Sequence, residues 1–225
     1  MIVVTGASKG LGRAICERLL SKNISVLGLA RNVEGTPFAA MPCDVSSYES
    51  VKAIAQKLRK EKIQVDGLIN AAGVASMNLA VITPPSVSAN LIQTNLLGTI
   101  YCCQLFAPLM FRAKSGVIIN FSTIAVALGL KGESIYAASK AGVEGFTRAF
   151  AREVADFNVT VNCIAPGPIN TSLLKGITAE QIHHIVSQQI IPKQFTPDTV
   201  SDLVELLLDH RSQSLSGQVL NVGGV

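Results

Sequence analysis

Short apolar runs alternate with longer stretches of helical periodicity along almost all of the 225-residue chain. Predicted helices cover residues 11–20, 48–60, 87–110, 136–155 and 197–208. Seven short runs, most of them rich in Val and Ile, are predicted strands: residues 2–4, 25–29, 38–43, 67–70, 117–121, 159–164 and 219–222. Because such alternation builds parallel βαβ units, the predicted fold is α/β, a Rossmann-type doubly wound sheet of about seven parallel strands with helices on both faces.

Composition narrows the class of protein. With 48% hydrophobic residues, residues 1–225 can bury one substantial core, so a single domain is predicted. The net charge of +4 is small and scattered, which argues against a nucleic-acid partner. Five cysteines without CxxC pairing or histidine spacing indicate small core residues in a reducing compartment, with neither disulfides nor a metal site.

Two further expectations concern membranes and compartment. The apolar runs have strand length or are interrupted by polar and turn residues, so no segment is expected to cross a bilayer as a helix. The sequence begins directly with the first predicted strand, without a basic or amphipathic leader ahead of it. A cytoplasmic protein is therefore expected, and a mitochondrial location is not excluded.

A glycine-rich turn joins the first predicted strand to the first predicted helix. Its sequence, Thr5-Gly6-Ala7-Ser8-Lys9-Gly10-Leu11-Gly12, has the spacing G-x-x-x-G-x-G. Glycines permit a tight turn and a close approach of phosphate oxygens, and a helix N-terminus supplies oriented N–H groups with partial positive charge. An ordinary tight connection is the alternative interpretation. The candidate phosphate-binding residues are Gly6, Ser8, Lys9, Gly10, Leu11 and Gly12.

The same turn also matches G-x-S-x-G through Gly6, Ser8 and Gly10, the pattern around the nucleophile of α/β-hydrolases. In that fold a loop from an earlier strand completes the oxyanion hole, whereas here only five residues precede Gly6. All three histidines lie in the final quarter of the chain. The hydrolase hypothesis is therefore the weaker one.

The ends of the next strands bear on which dinucleotide is bound. NAD-preferring sites have a carboxylate after the second strand, where this chain has Arg31 and Asn32. Arg31 and Lys9 could both pair with a 2′-phosphate, which favours NADP(H), although both could also be ordinary surface charges. Asp44 and Val45, after the third strand, are expected to meet the adenine edge. Small residues for a close cofactor passage follow the fourth strand: Asn70, Ala71, Ala72 and Gly73.

Tyr136 and Lys140 lie four residues apart in a predicted helix and therefore share one of its faces. A free tyrosine has a pKa of about 10, and an adjacent ammonium lowers it toward the range useful for acid–base catalysis. The pattern Y-x-x-x-K by itself also fits an exposed helix face. The distance in sequence between this pattern and the glycine turn favours a catalytic role.

Together these motifs resemble the short-chain dehydrogenase/reductase family, and their order and intervals agree over the whole chain. Within the family the resemblance is greatest to the 3-oxoacyl-acyl-carrier-protein reductase and carbonyl reductase branch. The segments that carry it are T-G-x-x-x-G-x-G, Asn70-Ala71-Ala72-Gly73, Thr94-Asn95, Asn120-Phe121-Ser122-Thr123, Tyr136-x-x-x-Lys140 and Pro166-Gly167.

The resemblance implies a role for each matching residue. Tyr136 would be the general acid in reduction, Lys140 would lower its pKa and hold the nicotinamide ribose, and Asn95 would hold a water of the proton relay. The serine that binds the substrate oxygen in the family corresponds to Thr123, which keeps the hydroxyl but adds a methyl group. Its neighbour Ser122 is expected to face the opposite side of the strand.

After the sixth strand, the resemblance implies that backbone groups of Ile169 meet the nicotinamide amide, with the Thr171 hydroxyl nearby. Residues 167–192 combine weak periodicity with flanking prolines, and we expect a mobile segment over the site.

The leading functional hypothesis is an NADPH-dependent reductase of 3-oxoacyl thioesters carried by acyl carrier protein or CoA. Two alternatives stay open: a broad carbonyl, quinone or hydroxysteroid oxidoreductase, and a weakly active cofactor-binding partner subunit of a hetero-oligomeric reductase. A homotetramer formed through the helices at residues 87–110 and 136–155, or a hetero-oligomer with a homologous subunit, is expected.

Overall fold

A parallel sheet lies at the centre of the computed structural model, which describes residues 1–171, 174 and 177–225. Its strands are β1 (Ile2–Thr5), β2 (Val26–Ala30), β3 (Ala40–Pro42), β4 (Gly67–Asn70), β5 (Gly116–Phe121), β6 (Val159–Ala165) and β7 (Val219–Asn221). The strand order is β3-β2-β1-β4-β5-β6-β7, and all neighbouring pairs are parallel. The predicted doubly wound sheet is confirmed.

The helices pack on both faces of this sheet. They are α1 (Gly10–Ser21), α2 (Tyr48–Lys60), α3 (Pro85–Leu91), α4 (Gly98–Phe106), α5 (Pro108–Phe111), α6 (Ala125–Leu128), α7 (Ser134–Glu153), α8 (Ala179–Ser187) and α9 (Pro197–Leu208). Short 3-10 turns occur at Ala80–Ile82, Ala155–Phe157 and His210–Ser212.

Two apolar clusters cover the faces. One packs α2, α4 and α7 on the sheet through residues such as Leu58, Phe106 and Phe150. The other packs α1 and α9 through residues such as Leu19 and Val204. Strands β1 and β2 are buried along their whole length, and their sequences, IVVT and VLGLA, are almost continuously apolar for that reason.

The third strand is shorter than the predicted range 38–43. Phe38 lies outside the strand and packs over Gly28, where an added Cβ would come within 2.6 Å of the Phe38 ring. Pro42 ends β3, which is an edge strand and can therefore include a residue without an N–H donor.

The predicted helix at residues 87–110 is a continuous helical run that changes its winding. Between α3 and α4, Ile92–Leu97 forms a π-helical segment. The run Pro85–Phe111 has the length and apolar composition of a membrane span, with a mean hydropathy of 1.2, although none was expected. Core helices of soluble proteins have the same features, and here Phe106 and Met110 are fully buried in the core beside the sheet.

The segment at residues 167–192 contains more regular structure than its weak periodicity indicated. Ala179–Ser187 forms α8, which begins with a capping box between Thr178 and Gln181. Ile185 and Val186 of α8 are buried, Ile182 is partly buried, and the polar residues of the helix, including His183 and His184, are exposed.

All five cysteines are buried, as predicted for small core residues. Burial raises the pKa of each thiol above its ordinary value, so the thiols stay protonated and unreactive near neutral pH. They are Cys16, Cys43, Cys102, Cys103 and Cys163.

Candidate active site

A cavity of about 370 Å³ lies at the carboxyl ends of the strands, beside the β1–β4 boundary where the strand order reverses. Ligands of doubly wound folds bind at this position. Most of the residues predicted from the sequence line it: Gly6, Ser8, Lys9, Gly10, Leu11, Gly12, Arg31, Asp44, Val45, Ala71, Ala72, Gly73, Thr123, Tyr136, Lys140, Ile169 and Thr171.

The glycine turn is packed too tightly for side chains. Gly6 has a φ of +69°, and an added Cβ would lie 2.8 Å from the Ala72 backbone. A Cβ on Gly12 would lie 2.5 Å from the Gly6 carbonyl oxygen. No side chain caps the start of α1 at Lys9. The first N–H groups of α1 are therefore suited to a phosphate group, and the turn fits the pyrophosphate of a dinucleotide.

Two cations stand at the outer end of the cavity. Lys9 and Arg31 both line it, both are exposed, and neither has an ion-pair partner among the described residues. Asn32 lies outside the cavity because its side-chain oxygen turns back to accept a hydrogen bond from the Glu34 backbone. The Asp44 carboxylate accepts hydrogen bonds from the backbone and hydroxyl of Ser46 and fixes the local turn.

Asn70, expected beside the cofactor, instead belongs to a buried network below the cavity. Its side chain donates a hydrogen bond to Asn120 Oδ1 at 2.9 Å, and Asn120 donates to Thr147 Oγ1 at 2.9 Å. The network joins β4 and β5 to α7. Of the predicted loop after β4, Ala71, Ala72 and Gly73 line the cavity and Asn70 does not.

Asn95 is fully buried in the π-helical segment and does not line the cavity. Its side-chain oxygen accepts from the Val74 backbone at 2.8 Å, and its amide donates to the Val74 carbonyl and to Ser139 Oγ. Asn95 thereby ties the loop after β4 to α7. A Cβ on Gly73 would lie 3.3 Å from Asn95 Oδ1 and 3.6 Å from Lys140 Nζ, so these groups are close neighbours.

The two hydroxyl residues after β5 point in different directions. Ser122 Oγ donates to Glu144 Oε1 at 2.7 Å, on the face of the sheet covered by α7. Thr123 lines the cavity together with Tyr136, and its hydroxyl oxygen accepts a hydrogen bond from the Ala125 backbone. Thr123 is therefore the residue of the pair that can contact a substrate oxygen together with Tyr136.

Tyr136 and Lys140 are held near one another on α7, and burial disfavours the charged form of both. Burial raises the pKa of Tyr136 above its ordinary value, the charge of Glu133 raises it further, and the nearby Thr123 hydroxyl opposes the rise. Burial lowers the pKa of Lys140 to about 8. Lys140 Nζ donates a hydrogen bond to the Phe121 carbonyl at 2.8 Å, and the lowering of the Tyr136 pKa by Lys140, which the resemblance implies, stays a prediction.

The loop after β6 covers the cavity. Ile169 is buried against it, and Thr171 lies above the glycine turn, where a Cβ on Gly10 would come within 3.6 Å of Thr171. Sequence reasoning missed Glu133, although it lies one helical turn before Tyr136. It also missed the apolar residues that line the cavity opposite the glycine turn: Leu130, Leu174, Ile177 and Ile185.

Fold and site define the class of protein: an α/β scaffold that fits a dinucleotide along the carboxyl edge of its sheet and presents a tyrosine and a lysine to one cavity. The family model described as short chain dehydrogenase matches residues 1–182. The chain belongs to the short-chain dehydrogenase family and is an oxidoreductase that acts with a nicotinamide nucleotide.

Several relatives are similar over nearly their full length. The 3-oxoacyl-[acyl-carrier-protein] reductase of Vibrio cholerae is 32% identical, covering 99% of this chain and 95% of its own. The human enzyme of the same name is also 32% identical, with 98% and 95% covered. These relatives agree with the predicted branch of the family.

Solved structures superpose closely. Aldohexose dehydrogenase of Thermoplasma acidophilum, in ligand-free form, has a TM-score of 0.89 at 28% identity, with 99% of this chain and 92% of that chain covered. ElxO with NADP bound also has a TM-score of 0.89 at 28% identity, with 98% and 96% covered.

Proposed function

We propose that the chain is an NADP(H)-dependent reductase that converts a 3-oxoacyl thioester, carried by acyl carrier protein or CoA, to the 3-hydroxyacyl product. The observation that carries the proposal is that Thr123, Tyr136 and Lys140 line one cavity, so that two hydroxyls can reach one carbonyl oxygen. The reductases of acyl-carrier-protein substrates among the relatives support the substrate class.

In the proposed reaction Tyr136 donates its phenolic proton to the substrate oxygen, and the Thr123 hydroxyl donates a second hydrogen bond to it. The nicotinamide nucleotide, when bound, supplies the hydride. Lys140 binds the nicotinamide ribose, and Asn95 keeps the Val74 loop and α7 in register. The backbone of Ile169 and the Thr171 hydroxyl contact the nicotinamide amide.

The phosphate preference is proposed to come from Lys9 and Arg31. A 2′-phosphate between two otherwise unpaired cations gains charge-assisted hydrogen bonds that NADH cannot form. We expect Arg31→Gln to raise the Kd for NADPH roughly 10-fold while leaving the Kd for NADH nearly unchanged. Fluorescence titration measures both, and Lys57→Gln, a change of an exposed cation on α2, is the control. Equal affinity of the wild-type protein for both nucleotides would refute the NADP(H) preference.

The substrate class is tested with purified protein alone. We expect NADPH oxidation with an acetoacetyl thioester, and a loss of about 10²–10⁴ in kcat/KM for Tyr136→Phe with NADPH binding retained. Turnover of quinones or aldohexoses in place of the thioester would favour a broad carbonyl oxidoreductase, a possibility raised by the similarity to aldohexose dehydrogenase. NADPH binding without turnover of any carbonyl would favour the partner-subunit alternative.

The proposed assembly is a homotetramer that uses α4 and α7. Half-buried apolar side chains on these helices, including Tyr101, Leu105 and Phe146, support an interface there. Light scattering coupled to size-exclusion chromatography gives the mass in solution, and a monomer at micromolar concentration would contradict this assembly. Cytoplasmic location stays a prediction.

A further inference from the structure

A buried carboxylate, Glu133, lies beside the proposed catalytic tyrosine. Glu133 immediately precedes α7, one turn before Tyr136, and lines the same cavity. Only 9% of its surface is exposed. Residues three apart at a helix start have Cβ atoms about 5–6 Å apart, so Glu133 and Tyr136 can contact one small substrate at two points. Their proximity is also visible in the pKa of Tyr136, which the Glu133 charge raises.

The Glu133 carboxylate has no hydrogen-bond or ion-pair partner among the residues that the structure describes. The backbone of Glu133 is engaged, since its N–H donates to the Leu130 carbonyl and its own carbonyl accepts from Ala137. The side chain does not cap α7. Glu144 on the same helix, by contrast, accepts from Ser122 and pairs with Arg148. The Glu133 side chain therefore has no apparent role in holding the fold together.

The Glu133 carboxylate reaches the cavity but is largely withdrawn from water, which costs free energy in its charged form and raises its pKa. A ligand that donates a hydrogen bond removes that cost when it binds. A ligand that brings a second carboxylate to the same place adds repulsion between like charges. The cavity thus favours substrates that have a neutral hydrogen-bond donor, and not a carboxylate, close to the reacting carbonyl.

We propose that Glu133 is a specificity-determining residue that accepts a hydrogen bond from a hydroxyl or amide N–H of the substrate, a few bonds from the carbonyl being reduced. The substrates selected are neutral carbonyl compounds with such a donor, and free 3-oxo acids are disfavoured. The proposal rests on the reductase function proposed above. For a 3-oxoacyl thioester, the hydrogen-bond donor is the amide N–H nearest to the sulfur in the arm that links the acyl group to acyl carrier protein or CoA.

Two thioesters that differ in the donor test the proposal. Acetoacetyl-N-acetylcysteamine has an amide N–H beyond the sulfur, and S-butyl acetothioacetate has none. We expect wild-type kcat/KM to favour the first by roughly 10-fold, the effect of one hydrogen bond to a charged acceptor. Glu133→Met, which removes the acceptor at similar size, should bring the ratio close to one. Glu133→Gln, which keeps an acceptor oxygen without the charge, should give an intermediate ratio.

Glu153→Met, at the exposed far end of α7, is the control and should keep the wild-type ratio. Thermal unfolding of the variants verifies that each is folded. Equal kcat/KM of the wild type for both thioesters, or a ratio unchanged in Glu133→Met, would overturn the role of Glu133 and leave the reductase function standing. No turnover of either thioester by the wild type would overturn the reductase function and, with it, the recognition that depends on it.

Discussion

Thr123 is the residue whose chemistry differs most from the family pattern suggested by the sequence, and it lines the same cavity as Tyr136. A threonine side chain has a restricted χ1 rotamer, so the hydroxyl is held in one direction while the methyl group takes up space at the cavity. The pair Thr123 and Tyr136 should therefore act as a rigid unit toward a substrate oxygen.

Replacing Thr123 with valine removes the hydroxyl at nearly constant shape. We expect kcat/KM for an acetoacetyl thioester to fall by about 10²–10³, as for other donors to a developing oxyanion. Thr123→Ser keeps the hydroxyl and should retain most activity, with better use of bulkier ketones because the methyl group is gone. Steady-state kinetics on a series of ketone sizes checks both, and full activity of the valine variant would exclude the Thr123 contact.

Lys140 should determine an alkaline limb in the pH profile. Its pKa of about 8 means that the ammonium is present below that pH and is lost as the pH rises through it. The proposed ribose contact needs the charged form, so kcat/KM for NADPH should be level at lower pH and decline above about 8. Because kcat/KM for the nucleotide reports groups of the free enzyme, initial rates between pH 6 and 10 measure this ionisation.

The residual activity of Lys140→Met should lack this limb. A wild-type limb near the ordinary lysine pKa of about 10.4 would show that burial does not shift Lys140.

At the scale of elements, the β1–α1 turn positions the phosphate site through close backbone contact. Gly6 and Gly35 share a φ of +69°, yet an added Cβ on Gly6 meets the Ala72 backbone while one on Gly35 meets nothing within 4 Å. Substituting each glycine in turn therefore distinguishes the free-energy cost of a left-handed backbone from the additional cost of a steric clash.

Gly35→Ala should destabilise the fold by about 1 kcal/mol from the backbone conformation alone. Gly6→Ala carries the same strain and also forces β1 and the loop after β4 apart, so it should destabilise more and weaken NADPH binding. Urea unfolding and nucleotide titration of both variants measure the difference. Equal losses of stability and of nucleotide affinity in the two variants would mean that the close backbone approach at Gly6 contributes nothing to either.

Physical causes explain why some elements were predicted accurately from the sequence and others were not. Strands buried on both faces and helices with one apolar face have strong periodicities, and α2 and α9 were predicted with their observed bounds. The π-helical segment Ile92–Leu97 has no comparable signal because its hydrogen bonding is set by tertiary packing. Helix α8 is short, but its capping box of Thr178 and Gln181 and its buried pair of Ile185 and Val186 are signals in the sequence that the prediction of a mobile segment did not use.

Two parts of the candidate site could be predicted from the sequence. The glycine turn could be predicted because it acts through its backbone, and the pair Tyr136 and Lys140 because a spacing of four residues places both on one helix face. The sequence did not show that Asn70 and Asn95 lie outside the cavity, because an asparagine beside a site can either face the ligand or hold the loop, and the local sequence is the same in both cases. Their hydrogen bonds, to Asn120 and Val74, exist only in the folded chain.

At the scale of the whole molecule, the network of Asn70, Asn120 and Thr147 couples the centre of the sheet to the helix that carries Tyr136. Removing one member of a buried polar network leaves its former partners with fewer hydrogen bonds in a place that water does not reach. Loss of Asn120 leaves the amide of Asn70 with only the weak acceptor Cys103 Sγ and removes the donor to the Thr147 hydroxyl.

Asn120→Ala should therefore lower the free energy of unfolding by about 1–3 kcal/mol for the lost pairing, with a further cost for the cavity. Denaturant unfolding measures the change, and Asn78→Ala, a substitution at an exposed asparagine, should alter stability far less. A double-mutant cycle with Thr147→Val isolates the coupling between the two side chains. A coupling energy of zero would show that the hydrogen bond adds nothing to stability.

The buried, protonated cysteines have a practical consequence for measuring motion in solution. A single cysteine introduced at an outward-facing position can be labelled with a maleimide dye while the five natural thiols stay unmodified, so none of them needs to be replaced. Val81 is such a position, at 91% exposed, in the segment between β4 and α3. A dye there would report by fluorescence whether this segment moves when a nucleotide binds.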